Sequence, residues 1–228
     1  MPVLIWRTIR KTANVDRRIV VLTEGASDPL TAKTAINVIR YRPEHVVAVF
    51  DSARRGVTSQ ELLGVGGSLP VIGSLADAPG ANTLLIGIAP PGGRLPPVMR
   101  QVVLEAIGLG WTIESGLHDF LCNDAELVAA AQGSGAVLKD VRKNNERDVA
   151  NRQGIDERCL RIHTVGNDCS IGKMVVAVEL ARALARAGHD TKFVATGQTG
   201  IMIEGDGCPV DCVVSDFVSG AAEKLGGL

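Results

Sequence analysis

The segment Gly166-Asn167-Asp168-Cys169-Ser170-Ile171-Gly172-Lys173 lies between an apolar run, Leu160–Val165, and an apolar-patterned stretch, Gly172–Ala187. A glycine-spaced loop ending in lysine between a strand and a helix is the setting of a phosphate-binding P-loop. Glycine lets the backbone bend so that successive N–H groups converge on phosphate oxygens. The helix start adds a partial positive charge, and Lys173 adds a full one. An ordinary strand-to-helix turn with a surface lysine explains the lysine but not the whole combination. The next residue, Met174, offers no hydroxyl where a P-loop serine or threonine would hold Mg²⁺. That weakens ATP hydrolysis and leaves a phosphate-bearing ligand in place. Any requirement for Mg²⁺ stays open.

A P-loop constrains the rest of the chain to an α/β architecture, and the pattern agrees. Strands are expected at Ile19–Leu22, His45–Phe50, Leu69–Ile72, Thr83–Ile88, Trp111–Ser115 and Ala136–Val141. Helices are expected at Thr31–Tyr41, Thr58–Leu63, Pro96–Leu109 and Ala125–Gln132, with Ala78–Gly80 as a turn. This alternation predicts a Rossmann-like parallel sheet over residues 1–143. The charged stretch Lys139–Arg158 lacks apolar periodicity, so residues 144–158 are expected to be a linker. Residues 159–228 then form a P-loop α/β domain, with strands at Leu160–Val165, Thr191–Ala195 and Asp211–Ser215 and Gly188 as the helix stop. So few strands after the P-loop predict that this domain is truncated at its C-terminal side.

Composition narrows the partners. The 228 residues are 46% hydrophobic and 21% charged, as a globular chain requires. The net charge is −1 and aromatic residues make up 3%, so nucleic acid is not expected as a partner. No run reaches the roughly 18 apolar residues of a membrane span. The stretch Met1–Arg18 is too charged for a signal peptide, which predicts a cytoplasmic protein. Homo-oligomerisation remains open. The five cysteines, Cys122, Cys159, Cys169, Cys208 and Cys212, are an odd number and read as reduced, buried thiols. Cys208 and Cys212 lie close in sequence, but a second ligand pair is missing and no metal site is expected.

Several loops follow expected strands, where α/β sheets bind ligands. Gly87–Gly93 holds Gly92 and Gly93, and Arg94 and Arg100 beyond it carry the charge to grip a substrate carboxylate. Solvated surface arginines are the plainer reading. His118 and Asp119 follow another strand; His118 suits a general base, while Asp119 equally suits a helix cap. Gln198 and Thr199, in Gly197–Gly200, either contact the ligand or form a plain turn. The Glu24-Gly25 and Lys33-Thr34 region lacks the spacing of a dinucleotide fingerprint, so NAD is not expected.

These strings also carry a family resemblance. The loop spacing, with five residues between Gly166 and Gly172, is similar to that of dethiobiotin synthetases. Thr23-Glu-Gly25, Ala32-Lys-Thr34, Val38-Ile-Arg-Tyr41, Gly87-Ile-Ala-Pro-Pro-Gly-Gly93 and Ser115-Gly-Leu-His-Asp-Phe120 resemble the first domain of a two-domain bacterial and archaeal family. Gly166 to Met174, Phe193-Val-Ala-Thr-Gly-Gln-Thr-Gly200 and Asp216-Phe-Val-Ser-Gly-Ala221 resemble its second domain. Characterised members of that family are D-glutamate N-acetyltransferases that use acetyl-CoA. The resemblance therefore implies transfer of acetyl from acetyl-CoA to the amine of D-glutamate or a similar small acidic amino acid. A dethiobiotin-synthetase-like ATP-dependent ligase or kinase, or a non-catalytic nucleotide-binding protein, is the alternative. The family usually carries threonine soon after the G-K-M, where this chain has Val175 and Val176. Its chains are also longer.

Overall fold

A computed structural model describes residues 17–226 except Gly154 and Cys169. The charged stretch at the N-terminus, up to residue 16, and Cys169 of the P-loop thus lie outside the described residues.

Six strands form one parallel sheet: β1 Ile19–Leu22, β2 Val46–Phe50, β3 Val71–Ile72, β4 Thr83–Ile86, β5 Thr112–Ser115 and β6 Val137–Asp140. Their order is β3-β2-β1-β4-β5-β6, the doubly wound Rossmann order. Alternation within the strands separates the two faces. Ile19 and Val21 of β1 and Leu85 of β4 enter one core, whereas Val20, Leu22, Leu84 and Ile86 enter the other. The second core is covered by α3, Pro97–Gly108, and α4, Ala125–Ser134. The first is covered by α1, Lys33–Tyr41.

Local chemistry fixes several ends. Pro96 and Pro97 open α3, where a missing N–H costs little. The helix α2, Ser59–Leu63, starts on a Thr58–Glu61 capping box and stops at Gly64 in the left-handed region. Asp124, not Asp119, caps α4, accepting from the N–H groups of Glu126 and Leu127.

The second half departs from the sequence expectation. It holds α5, Lys173–Arg186, as expected, and two helices that were not: α6, Gln198–Glu204, and α7, Val218–Gly226. Among the described residues, Leu160–Val165, Thr191–Ala195 and Asp211–Ser215 are not strands. A strand persists only when a neighbour takes its N–H and C=O groups, and these segments build no ladder. Val210–Cys212 and Ser215–Phe217 tighten into 3₁₀ turns instead. The expected linker is anchored rather than free. Asn144 donates to the Cys212 carbonyl, and the N–H groups of Asn151 and Arg152 donate to Glu223 of α7.

The second half docks against α1. Val178, Met202 and Ile203 share one buried cluster with Ala35, Val38 and Ile39 of α1, with Met174 and Phe193 partly buried against it. Tyr41 Oη donates to Glu179 at 2.9 Å, and Arg182 both donates to the Tyr41 carbonyl at 3.0 Å and lies 4.7 Å over its ring. Among the described residues, no helix is long and apolar enough to cross a membrane.

Candidate functional site

In this strand order the switch point falls between β1 and β4, where the chain leaves the sheet in opposite directions and opens a crevice. The loops leaving these strands are stitched together: Ala35 N donates to Gly87 O and Ala89 N to Thr31 O. Gly87 is required at this seam. A Cβ there would meet Val21 Cγ1 at 2.6 Å and Ala35 Cβ at 2.8 Å.

The P-loop lies across from this edge. Gly172 adopts φ +97° and directly precedes α5, with no side chain capping the helix amides. Ser170 sits at φ +58°, a conformation that needs support in a non-glycine residue. Its hydroxyl has that support, accepting from Lys33 Nζ of α1 at 2.8 Å. Lys173 Nζ donates to the Asp168 carbonyl, and Thr164 Oγ1 to the Lys173 carbonyl at 3.0 Å. Thr34 Oγ1 and Thr199 Oγ1 share a hydrogen bond of 3.0 Å. Lys33 and Lys173, from different halves, thus face one cavity of about 430 Å³. Ser170, Gly172, Met174, Gln198 and Thr199 also line it, together with Pro29, Leu30, Asn37 and Thr196. Gln198 and Thr199 do so as the first turn of α6, not as a bare loop.

Gly166, Asn167, Asp168 and Ile171 of the loop do not line that cavity, and of the residues expected in the first half Gly92, Gly93, Arg94, His118 and Asp119 gather at the ends of β4 and β5, outside it. Gly92 and Gly93 take φ +78° and +66°. The Gly93 carbonyl accepts from His118 N at 2.9 Å and Asp119 N at 3.1 Å, and a Cβ on Gly93 would meet His118 Cδ2 at 2.7 Å. Arg94 lies 3.3 Å from Asp119, both exposed. Arg100 does not join them. It bonds Asp124 through two nitrogens at 2.7 and 2.9 Å and also pairs with Glu126, clamping α3 to α4. This contact holds Asp124 down at about 2, with the amides of Leu127 and Glu126 adding to it.

Sequence reasoning missed the residues that join the two groups. Gln198 packs on Gly116, where a Cβ would stand 2.8 Å from Gln198 Cγ. The carbonyl of Gly116 accepts from Arg142 Nε at 2.6 Å. Arg142, almost wholly buried, pairs with Asp211 and lies 3.9 Å from Cys212 Sγ. Cys212 Sγ is in turn 4.0 Å from His118 Nδ1. The expectation of buried thiols holds for Cys208 alone among the four described; Cys159 is exposed, and Cys122 and Cys212 are partly exposed. Arg142, a charged residue at the end of the expected first domain, gave no signal of this role beyond its position just after β6.

Comparison with known proteins agrees with the two-part architecture. Residues 52–144 match a Rossmann-like domain described as a domain of unknown function, DUF1611_N, and residues 142–226 match the DUF1611_C P-loop domain. The chain is 38% identical over 208 residues to a D-glutamate N-acetyltransferase of Tritonibacter scottomollicae, covering 88% of this chain and 58% of that protein. It is 43% identical over 146 residues to a D-glutamate N-acetyltransferase of a Pseudoalteromonas species, covering 64% of this chain and 44% of that one. The crystal structure of a DUF1611 family protein from Anabaena variabilis superposes with a TM-score of 0.82 at 36% identity, over 92% of this chain and 62% of that chain. The chain thus spans little more than half the length of the first of these acetyltransferases and less than half of the second. With its sheet order, its P-loop and both domain matches in sequence, the chain belongs to the DUF1611 family.

Proposed function

We propose that this protein is an acetyltransferase that binds acetyl-CoA through its P-loop and acetylates the amine of a small acidic amino acid, D-glutamate being the first candidate. One observation carries the reading: two lysines, Lys33 and Lys173, face a cavity at the start of α5 whose loop is followed by Met174 rather than a hydroxyl residue. CoA presents a pyrophosphate and a 3′-phosphate, which lysines and loop amides bind without a metal. The names of the similar acetyltransferases support the same chemistry.

In this reading the pantetheine arm runs from the P-loop past Gln198 and Gly116 toward His118. His118 moves the proton that leaves the amine during transfer. Arg94, which is open to solvent beside Asp119, attracts the carboxylates of the acceptor. Arg100 is left out of the site because Asp124 and Glu126 occupy its donors.

Calorimetric titration with acetyl-CoA tests the proposal, with Lys173→Ala as the paired variant. Wild type should bind saturably, and the variant should lose about 1.5–3 kcal/mol of binding. Mass spectrometry with D-glutamate then checks the product. Folded protein that ignores acetyl-CoA would overturn this reading, and hydrolysis of ATP with Mg²⁺ would then replace it with an ATP-dependent one, its absence with a non-catalytic binding protein.

A further inference from the structure

Among the described residues, His118, Asp211 and Cys212 bring donor atoms within 4.8 Å of one another at the meeting of the two halves. Three such donors suit a metal, but Arg142 decides against a cation here. Its guanidinium pairs with Asp211 and lies 3.9 Å from the sulfur, so positive charge already fills the gap between two of the three donors. Arg142 Nη1 also donates toward that sulfur, which fixes its direction. His118 Nδ1, 4.0 Å away, stands where it can take the thiol proton after a small approach. The sulfur is held in place, since the Cys212 carbonyl accepts from Asn144 at 3.0 Å and its N–H donates to Pro209. It is also partly open to solvent and therefore reachable.

We propose that Cys212 is a catalytic nucleophile that carries the acetyl group as a thioester, with His118 as its proton partner and Arg142 positioning its sulfur. The proposal rests on the acetyltransferase reading and deepens it. In the first step the Cys212 thiolate attacks the acetyl carbonyl of acetyl-CoA. The new sulfur–carbon bond forms as the bond to the CoA sulfur breaks. His118 returns the proton taken from Cys212 to the departing CoA thiolate, so CoA leaves as the thiol. In the second step the neutral amine of the acceptor attacks the acetyl carbon on Cys212. A nitrogen–carbon bond forms, the cysteine thiolate leaves, and His118 takes the proton lost by the amine. The sum is acetyl-CoA plus amine giving CoA thiol plus N-acetyl product. Gln198 on Gly116, and Arg142 on the Gly116 carbonyl, connect this centre to the phosphate cavity.

Two measurements test this. Protein incubated with acetyl-CoA and no acceptor should gain one acetyl group, mapped to the peptide holding Cys212 and released by hydroxylamine. Cys212→Ala should lose the label and the transfer activity while still binding acetyl-CoA in the calorimeter. Separately, neutral iodoacetamide should alkylate Cys212 about tenfold faster than the exposed Cys159, and His118→Gln should remove that difference. Absence of acetyl-CoA binding would overturn the acetyltransferase reading and the acetyl-cysteine with it. Binding and transfer that persist in Cys212→Ala, or a Cys212 no more reactive than Cys159, would overturn the thioester alone.

Discussion

Leu84 and Leu160 both sit in apolar runs that read as strands, yet Leu84 is wholly buried in β4 and Leu160 is 82% exposed. The contrast extends to the two halves. In the first, β1 has β2 and β4 on either side, and both faces of the sheet are covered. In the second, the described residues form no ladder, and Val165 and Val176 remain largely exposed beside Leu160. The second half is ordered by docking α5 and α6 on α1, by a small buried cluster of Cys208, Val213 and Ala221, and by the bonds of residues 142–152 to Asp211, Cys212 and Glu223. The second half is tied to the first through Tyr41, Arg42 and Arg182.

Four substitutions probe this division. The largest effect is expected for Leu84→Ala, which opens a cavity in the central sheet and should cost about 2–5 kcal/mol in urea unfolding. Because the second half docks on the first, its signals should be lost in the same transition; survival of α5 after the sheet unfolds would break the comparison.

Next is Asp124→Ala, which removes a helix cap and the two bonds from Arg100 to Asp124 while leaving Arg100 on Glu126, and should cost about 1–2 kcal/mol near neutral pH. Asp124 titrates at about 2 in the folded chain, below its unfolded value, so its stabilisation is full above the ordinary carboxylate range. It disappears as pH falls through about 2. The stability difference between wild type and variant, followed by circular dichroism, should therefore shrink toward zero at the acid end.

A smaller and more local effect is expected for Arg182→Ala. Losing its hydrogen bond and ring contact should weaken docking by about 1 kcal/mol. Hydrogen exchange should speed up in α5 and α6 while the six strands keep their protection. Equal acceleration in the sheet would mean that the halves are not separable.

The smallest effect is expected for Tyr41→Phe. Burial first, and then the bond to Glu179, push the Tyr41 phenol above its ordinary value. The unfolded phenol therefore ionises first, and the docking stability from Tyr41 is lost as pH rises through the raised value. Exchange in α5 should accelerate at alkaline pH in wild type and much less in the variant.

The first half was legible because its strands and helices announce themselves by alternation and by end signals such as Pro96–Pro97 and the Thr58–Glu61 box. Every one of its expected strands is present, β1 with the expected bounds and the other five trimmed by one or two residues at one or both ends. The second half was misread because an apolar β-rich run looks the same with or without a neighbour to pair with. The short helix α6 was hidden because Gly197 and Gly200 resemble turn punctuation. The P-loop was legible in its spacing and in the helix that follows it, α5, whereas the strand expected before it, Leu160–Val165, is absent among the described residues. The convergence of Arg142, Asp211 and Cys212 on His118 was not, since contacts between distant stretches leave no periodicity.

Met174 carries a final consequence. Its side chain packs into the core shared by the two halves, at the position where a metal-using P-loop places a hydroxyl. A single base change would convert methionine to threonine there. In an evolutionary sense the route to magnesium chemistry is thus short in codons but long in structure, because the first step would loosen the seam that holds the loop in place.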